Sequence, residues 1–205
     1  MIDLFTAATG NGRRAAIMLE ECGLAYKTHK IDLTKGDQKQ PEFLKMNPAG
    51  AIPVIVDHEG PGGRSVTISQ SGAIVLYLAD KTGKFLPKDP VRRAHAYEWF
   101  MQAATDIAPA SSTIFYVSSV VPEKTPSTIQ HFETRFLNMC GVVDQRLIGR
   151  DYLVDEISIA DLALVPVVAA RKEMIDKQAG LANLKRWAAA MLGRPGVTRG
   201  LKVPA

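Results

Sequence analysis

The secondary-structure signals of this 205-residue chain change once along its length, and this change limits the fold more than any other feature. Strand and helix patterns alternate up to residue 81 in the order β-α-β-α-β-β-α. Residues 82–90 contain the Gly and Pro residues typical of a linker, and every later pattern is helical. The sequence therefore predicts an α/β domain over residues 1–81 and an all-α domain over residues 91–205.

The first domain is predicted from short apolar runs separated by turn-forming residues. Strands are predicted at residues 2–5, 26–33, 53–57 and 65–68, with helices ending near Gly23, spanning residues 41–46 and beginning near Gln70. The last two strands are predicted to form a hairpin around the Gly-Pro-Gly-Gly turn at residues 60–63.

Helix starts in the second domain are indicated by capping residues. Asp89-Pro90 and Thr125-Pro126 each place a capping side chain before a proline at the first helical position. Ser158-Ile-Ala-Asp161 is a variant of the capping box, in which two side chains satisfy the first backbone N–H groups of a helix. Arg194-Pro195-Gly196 is predicted to end the last helix.

Charge and hydropathy argue against a nucleic-acid or membrane partner. The net charge of +4 comes from 25 Lys and Arg scattered among 21 Asp and Glu, without the basic stripe of a nucleic-acid-binding surface. The chain has neither a signal-peptide pattern at its start nor an apolar run of the ~20 residues needed to cross a bilayer. We expect a cytoplasmic protein whose mild positive charge suits a small anionic substrate.

The cysteines and histidines argue against a metal site or an internal dithiol. Cys22 and Cys140 are far apart in sequence, and the four histidines lack paired ligand spacing. Thiol chemistry in this protein would therefore need a thiol supplied from outside the chain.

Two segments of the first domain resemble the N-terminal domain of the glutathione S-transferase superfamily. They are Asn47-Pro-Ala-Gly-Ala-Ile-Pro-Val-Ile-Val-Asp57 and Ile68-Ser-Gln-Ser-Gly-Ala-Ile-Val-Leu-Tyr-Leu-Ala-Asp80. Ser158-Ile-Ala-Asp161 and Trp187 resemble the capping box and terminal helix of its helical domain. The resemblance implies a thioredoxin-like first domain, an all-helical second domain, a homodimer, and glutathione as the bound substrate with no metal.

The resemblance also implies binding residues for glutathione. The backbone of Ile52, before a cis peptide bond to Pro53, would pair with the cysteinyl part of the tripeptide like an added strand. Gln70 and Ser71 would bind the γ-glutamyl end at the start of a helix, where a carboxylate is favoured. Gln38 resembles the residue that binds the glycine carboxylate in the bacterial nu-class branch and its Ure2-like relatives. Simple capping by Ser69 or Ser71, and a solvated loop around Gln38, are the alternatives.

The residue that activates the thiol is predicted from the first loop. Phe5 stands where many relatives have tyrosine, and Cys22 lies ~15 Å along the helix, which favours a core role for that cysteine. Thr9-Gly-Asn-Gly12 resembles the Thr-x-Asn-Gly loop of the nu-class branch, so Thr9 and Asn11 are the candidate catalytic residues. Ordinary turn and cap roles for both are the alternative.

The resemblance implies three candidate functions. The first is a transferase whose glutathione thiolate attacks an electrophilic carbon, and the second is a glutathione-dependent disulfide-bond reductase. The third is a non-catalytic binding or regulatory protein that retains the fold. Nu-like relatives often contact glutathione across the dimer through an arginine. The corresponding position here is His131, with Arg135 one turn later.

Overall fold

The computed structural model describes residues 1–204, which form two compact units. The first unit comprises residues 1–84 together with residues 193–204, and the second comprises residues 85–192. The chain passes from the first unit to the second between residues 84 and 85. The final segment, however, packs in the first unit, whereas the sequence-based prediction assigned it to the helical domain.

The first unit is built on a mixed sheet with the strand order β2-β1-β3-β4. β1 pairs in parallel with β2 and antiparallel with β3, and β4 pairs antiparallel with β3. Among residues 1–84 the elements are β1 (Ile2–Thr6), α1 (Gly10–Cys22), β2 (Tyr26–Lys30), α2 (Pro41–Met46), β3 (Val54–Asp57), β4 (Val66–Ser69) and α3 (Ser71–Thr82). This order confirms the predicted thioredoxin-like α/β domain, although β2 ends three residues earlier than predicted.

The core of the first unit includes β1, β3, α3 and the helix α1. Ile17, Met18 and Leu19 of this helix are fully buried. Thr9 caps the start of α1, and Gly23 ends it with a φ of 72°, a conformation that glycine adopts at little cost. Capping at both ends fixes where the helix starts relative to the loop that precedes it.

The regular secondary structure of the second unit, residues 85–192, is entirely helical. Its helices are α4 (Pro90–Met101), α5 (Ala108–Phe115), α6 (Pro126–Arg146), α7 (Ile159–Ala170), α8 (Lys172–Lys177) and α9 (Ala182–Leu192), with π-helical turns at Gln102–Ile107 and Tyr116–Val120. α7 is apolar and almost wholly buried, so the other helices surround it. This arrangement confirms the predicted all-helical domain.

The start of α7 is the predicted capping box. The Ser158 hydroxyl accepts a hydrogen bond from the Ala160 N–H, and the Asp161 carboxylate accepts from the Ser158 N–H. Asp161 is fully buried and also accepts from Trp187 Nε1 at 2.9 Å. Burial raises the pKa of Asp161, and hydrogen bonds from Leu153, Trp187 and Ser158 oppose that rise. Asp89 also caps its helix as predicted, whereas Thr125 makes no capping bond.

The prediction that Pro195 follows the last helix was wrong. Pro195 begins α10 (Pro195–Gly200), which belongs to the first unit. A proline suits the first position of a helix because its missing N–H would have no partner there. No helix within residues 1–204 is long and apolar enough to cross a membrane.

Candidate functional site

Strand pairing brings the predicted site residues to one end of the sheet. Val54 begins β3 and is paired with Phe5 near the end of β1 and with Ser69 at the end of β4. The segments that precede β3, follow β1 and follow β4 therefore meet at this end. β2 runs parallel with β1, so the segment after β2 lies there too. These four segments carry Thr9, Asn11, Gln38, Ile52, Pro53, Gln70 and Ser71.

Thr9 is both a helix cap and an available hydrogen-bond donor. Its backbone is extended, and its Oγ1 accepts a hydrogen bond from the Gly12 N–H at 3.1 Å. A hydroxyl that accepts one bond keeps its own hydrogen for a further acceptor. Capping by Thr9 and donation to a ligand are therefore compatible, although the sequence presented them as alternatives.

Asn11 and Ser71 are joined by an arginine that the sequence analysis did not identify. Arg14 Nη1 donates to Asn11 Oδ1 at 3.0 Å and to Ser71 Oγ at 2.8 Å. The Ser71 hydroxyl lies 3.4 Å from Asn11 Oδ1, so the three polar groups form a closed triangle. Arg14 is buried while Asn11 is exposed. The cluster therefore reaches from the interior to the surface.

Burial lowers the pKa of Arg14 to about 10, which leaves the guanidinium protonated at neutral pH. Its pairing with Asn11 has a partial sequence signal, because residues three apart on a helix are neighbours. Its pairing with Ser71, 57 residues further along the chain, has no local signal. Sequence analysis missed Arg14 for this reason.

The start of α3 is open to an anion. Gln70 occupies the N-cap position, makes no capping bond through its side chain, and has a φ of 71°. A non-glycine residue rarely adopts a positive φ, so such a backbone often accompanies a functional site. The alternative that Ser69 or Ser71 caps α3 was wrong, since Ser71 is the first helical residue and bonds to Arg14 instead.

Ile52 presents its backbone at the entry to β3. The peptide bond to Pro53 is cis, as the family resemblance implied. Ile52 is half-buried, and within residues 1–204 no hydrogen bond involves its N–H or C=O. An extended peptide could use these two groups as an additional strand does.

Gln38 lies in a short 3₁₀ turn, Asp37–Lys39, beside the loop that leads to Ile52. Gly50, with a φ of 57°, approaches this turn so closely that a Cβ would lie 3.0 Å from the Gln38 carbonyl oxygen. Within the described residues, Gln38 Oε1 is buried without a hydrogen-bond partner. The amide is thus held at the site with hydrogen-bonding capacity left over, while the neighbouring Lys39 ammonium donates to the Ala49 carbonyl.

Neither cysteine suits a nucleophile. Cys22 and Cys140 are both free and buried. Burial raises the pKa of Cys22, and it raises the pKa of Cys140 to about 12, so both are neutral thiols at physiological pH. Within residues 1–204, no group of three or more His, Cys, Asp or Glu side chains is arranged to hold a metal ion.

Comparison with known proteins agrees with this geometry. A family model described as "Glutathione S-transferase, N-terminal domain" matches residues 11–81. The disulfide-bond oxidoreductase YfcG of Escherichia coli strain K12 is 35% identical over 203 residues, covering 98% of this chain and 94% of that protein. The chain belongs to the glutathione S-transferase superfamily.

Solved structures similar to this chain contain glutathione in two forms. A glutathione transferase from Pseudomonas putida, with one glutathione disulfide bound per subunit, has a TM-score of 0.92 at 34% identity and aligns with 100% of this chain and 92% of its own. One from Burkholderia graminis, with two glutathione molecules per subunit, has a TM-score of 0.92 at 35% identity, with 99% and 88% coverage.

Proposed function

We propose that this transferase binds glutathione at the end of its sheet and activates the glutathione thiol for attack on an electrophile. The observation that carries the proposal is the convergence of donor groups from Thr9, Asn11 and Ser71 beside the unpaired backbone of Ile52. Each side chain already uses an acceptor oxygen within the protein. Thr9 and Asn11 therefore offer hydrogen to a ligand acceptor, and the Ser71 hydroxyl, which donates to Asn11 Oδ1 at 3.4 Å, can turn its hydrogen to one.

The tripeptide binds in an extended conformation in this proposal. Its cysteinyl residue pairs with the Ile52 backbone before Pro53, which leaves the sulfur near the loop of Thr9 and Asn11. Its γ-glutamyl carboxylate lies at the start of α3, where Ser71 and the first N–H groups of the helix favour an anion. Gln70 and Gln38 bind the two ends of the peptide through their polar side chains.

These groups are sufficient to ionise a thiol. Lowering a thiol pKa from about 8.5 to about 6.5 requires ~2.7 kcal/mol at 1.36 kcal/mol per unit. One hydrogen bond to a charged group supplies ~1.5 to 3 kcal/mol, and a helix N-terminus adds ~0.3 to 1 kcal/mol. Thr9 or Asn11 together with the start of α1 can therefore account for the ionisation without a cationic side chain on the sulfur.

Disulfide reduction is a second candidate function, favoured by the oxidoreductase name of YfcG and by the glutathione disulfide in the Pseudomonas structure. A first glutathione thiolate attacks one sulfur of the substrate disulfide and expels the other as a thiolate. A second glutathione thiolate then attacks the mixed disulfide, releasing the remaining substrate thiol and glutathione disulfide. Both attacking sulfurs come from glutathione because Cys22 and Cys140 are buried.

We also propose a cytoplasmic homodimer, the common symmetric form of soluble oligomers. His131 and Arg135 line an open groove of about 410 Å³ along α6 in the second unit. Either side chain is a candidate to contact the glutathione of the partner subunit.

A non-catalytic binding role would not require activating donors at Thr9 and Asn11.

Substitution of Thr9 tests the proposed function. We expect Thr9→Val to lower the rate with a reactive aryl halide, or with a small disulfide, roughly 10- to 100-fold, because the donor to the thiolate is lost. Thr9→Ser keeps the hydroxyl and is the matched control, with a rate within about threefold of the wild type. Steady-state assays of both reactions also show which substrate class the enzyme prefers.

Two outcomes would contradict the proposal. Wild-type protein that is folded but inactive in both assays is a binding protein and not an enzyme. Equal rates for Thr9→Val and Thr9→Ser would mean that Thr9 is only a cap. Circular dichroism of each variant separates a chemical effect from a loss of α1.

A further inference from the structure

Arg14 occupies an unusual position for a charged side chain. It is 2% exposed and is among the largest fully buried side chains of the protein. Burying a charge costs free energy unless hydrogen bonds compensate for the lost water. The described bonds of its Nη1 atom go to the two residues that flank the start of α1 and the start of α3, Asn11 and Ser71.

The guanidinium determines which end of the Asn11 side chain faces the interior. An arginine has five N–H donors and no acceptor, so only the oxygen of a neighbouring amide can be placed against it. Asn11 Oδ1 takes that position at 3.0 Å from Nη1. The amide NH2 group of Asn11 (Nδ2) must then point away from Arg14. Asn11 is an exposed residue at the end of the sheet.

The same donor also determines what Ser71 can do. Ser71 Oγ accepts from Arg14 at 2.8 Å, which occupies one of its lone pairs. Its own hydrogen is left to donate, either to Asn11 Oδ1 at 3.4 Å or to a carboxylate at the start of α3. A single guanidinium nitrogen, Arg14 Nη1, therefore determines which atoms of Asn11 and Ser71 are left to donate.

We propose that Arg14 is a positioning residue of the glutathione site. It holds the amide NH2 group of Asn11 toward the sulfur and the Ser71 hydroxyl toward the γ-glutamyl carboxylate. This inference rests on the proposed function. Without Arg14 the Asn11 amide is free to turn by half a rotation and to present its oxygen to the thiolate. An oxygen acceptor beside the glutathione sulfur opposes ionisation of the thiol, whereas an amide N–H donor promotes it.

The test is the pKa of the bound glutathione thiol, measured from thiolate absorbance in the ultraviolet as a function of pH. We expect Arg14→Met to raise that pKa by about one unit and to weaken glutathione binding roughly tenfold, since each effect corresponds to one lost charge-assisted bond. Arg14→Lys retains a cationic donor and is expected to recover most of both effects. Arg13→Met removes the adjacent arginine and serves as the matched control, with the thiol pKa unchanged.

A double-mutant cycle separates positioning from general stability. If Arg14 acts through Asn11, Arg14→Met changes the thiol pKa much less in an Asn11→Ala background than in the wild type, because the amide it orients is absent. A destabilised scaffold would give the same change in both backgrounds. Urea unfolding of each variant confirms that the titrated protein is folded, and Arg14→Lys provides the comparison if Arg14→Met does not fold.

The outcomes distinguish this inference from the proposed function. An Arg14 variant that binds glutathione with the wild-type thiol pKa overturns the positioning role and leaves the proposed function intact. Equal effects of Arg14→Met with and without Asn11 also overturn it. Wild-type protein that fails to bind glutathione refutes the proposed function itself, and this inference with it.

Discussion

At the scale of single residues, the acceptor oxygens of Thr9 and Asn11 are already occupied by hydrogen bonds within the protein. Thr9 Oγ1 accepts from the Gly12 N–H, and Asn11 Oδ1 accepts from Arg14. What remains on each side chain is a hydrogen, which suits a ligand atom that carries negative charge. The hydrogen bonds that fix the local structure of the loop are therefore the same ones that leave these donors for the proposed ligand.

A second polar cluster stabilises the opposite end of β3. The Asp57 carboxylate is fully buried, accepts from the Tyr77 hydroxyl at 2.6 Å and lies 2.8 Å from the Lys81 ammonium. Burial alone would raise the pKa of Asp57, but the bonds from Lys81 and Tyr77 outweigh it, and the pKa is lowered. A carboxyl with a lowered pKa stabilises the fold above its ordinary value of 3.8 and loses this contribution as the pH falls through the folded-state value.

We therefore predict a pH-dependent effect of Asp57→Asn. Near neutral pH the substitution should lower the free energy of unfolding by about 3 kcal/mol, because it leaves the Lys81 ammonium without its buried counter-ion. The difference from the wild type should shrink as the pH falls below 3.8 toward the lowered pKa of Asp57, because the folded-state carboxyl is protonated only below that lowered value. Urea unfolding across this pH range measures the difference in unfolding free energy. Asp80→Asn, an exposed position next to Lys81 on α3, is the control. A difference that is constant with pH would contradict the prediction.

Sequence patterns indicated Thr9 and Ser71, whose signals are local, and gave no signal for Arg14, whose hydrogen-bond partner Ser71 is distant in sequence. Thr9 precedes a helix, and Ser71 begins one, so both stand in recognisable patterns. In the sequence, Arg14 stands beside Arg13, and a short basic pair of this kind is typical of a solvated surface. The burial of Arg14 depends on the packing of α1 against α3, which no short pattern encodes.

At the scale of elements, the position of α1 depends on a glycine. A Cβ added to Gly12 would lie 2.2 Å from the Ala7 carbonyl oxygen and 2.5 Å from Thr6 Oγ1. Both atoms belong to buried residues at the end of β1, and one of them is backbone. Only a residue without a side chain allows the first turn of α1 to pack this closely on the strand that it follows.

Gly12→Ala is expected to lower the free energy of unfolding by about 2 kcal/mol or more, because α1 must shift away from β1. The shift would also move Thr9 and weaken glutathione binding. Gly10→Ala is the matched control two residues earlier, where an added Cβ meets no atom within 4 Å. This control should lie within about 1 kcal/mol of the wild type. Equal stability of the two variants in thermal or urea unfolding would show that the contact is not limiting.

Element boundaries followed the sequence where caps determine them. Ser158 and Asp89 each precede the start of a helix, and Gly23 follows the end of one, as predicted. The prediction failed at Pro195, because a proline after a helix and a proline at the start of the next helix look the same in sequence. Packing of α10 on α1, which brings Gly200 against Ile17, decides between them.

At the scale of the whole molecule, the first unit depends on both ends of the chain. Arg194 forms two hydrogen bonds with the Glu21 carboxylate, and Arg199 pairs with Glu20, so α10 is attached to the helix that carries Thr9 and Asn11. These contacts span more than 170 positions of sequence. This unit contains the residues that are predicted to bind glutathione within one subunit, Gln38, Ile52, Pro53, Gln70 and Ser71.

The most direct test of the account is calorimetric titration of the purified, folded protein with reduced and with oxidised glutathione. We expect saturable heat from at least one form at or below millimolar concentration, and weaker binding by Ser71→Ala, which removes the hydroxyl at the start of α3. The absence of saturable heat from both forms at millimolar concentration would contradict it.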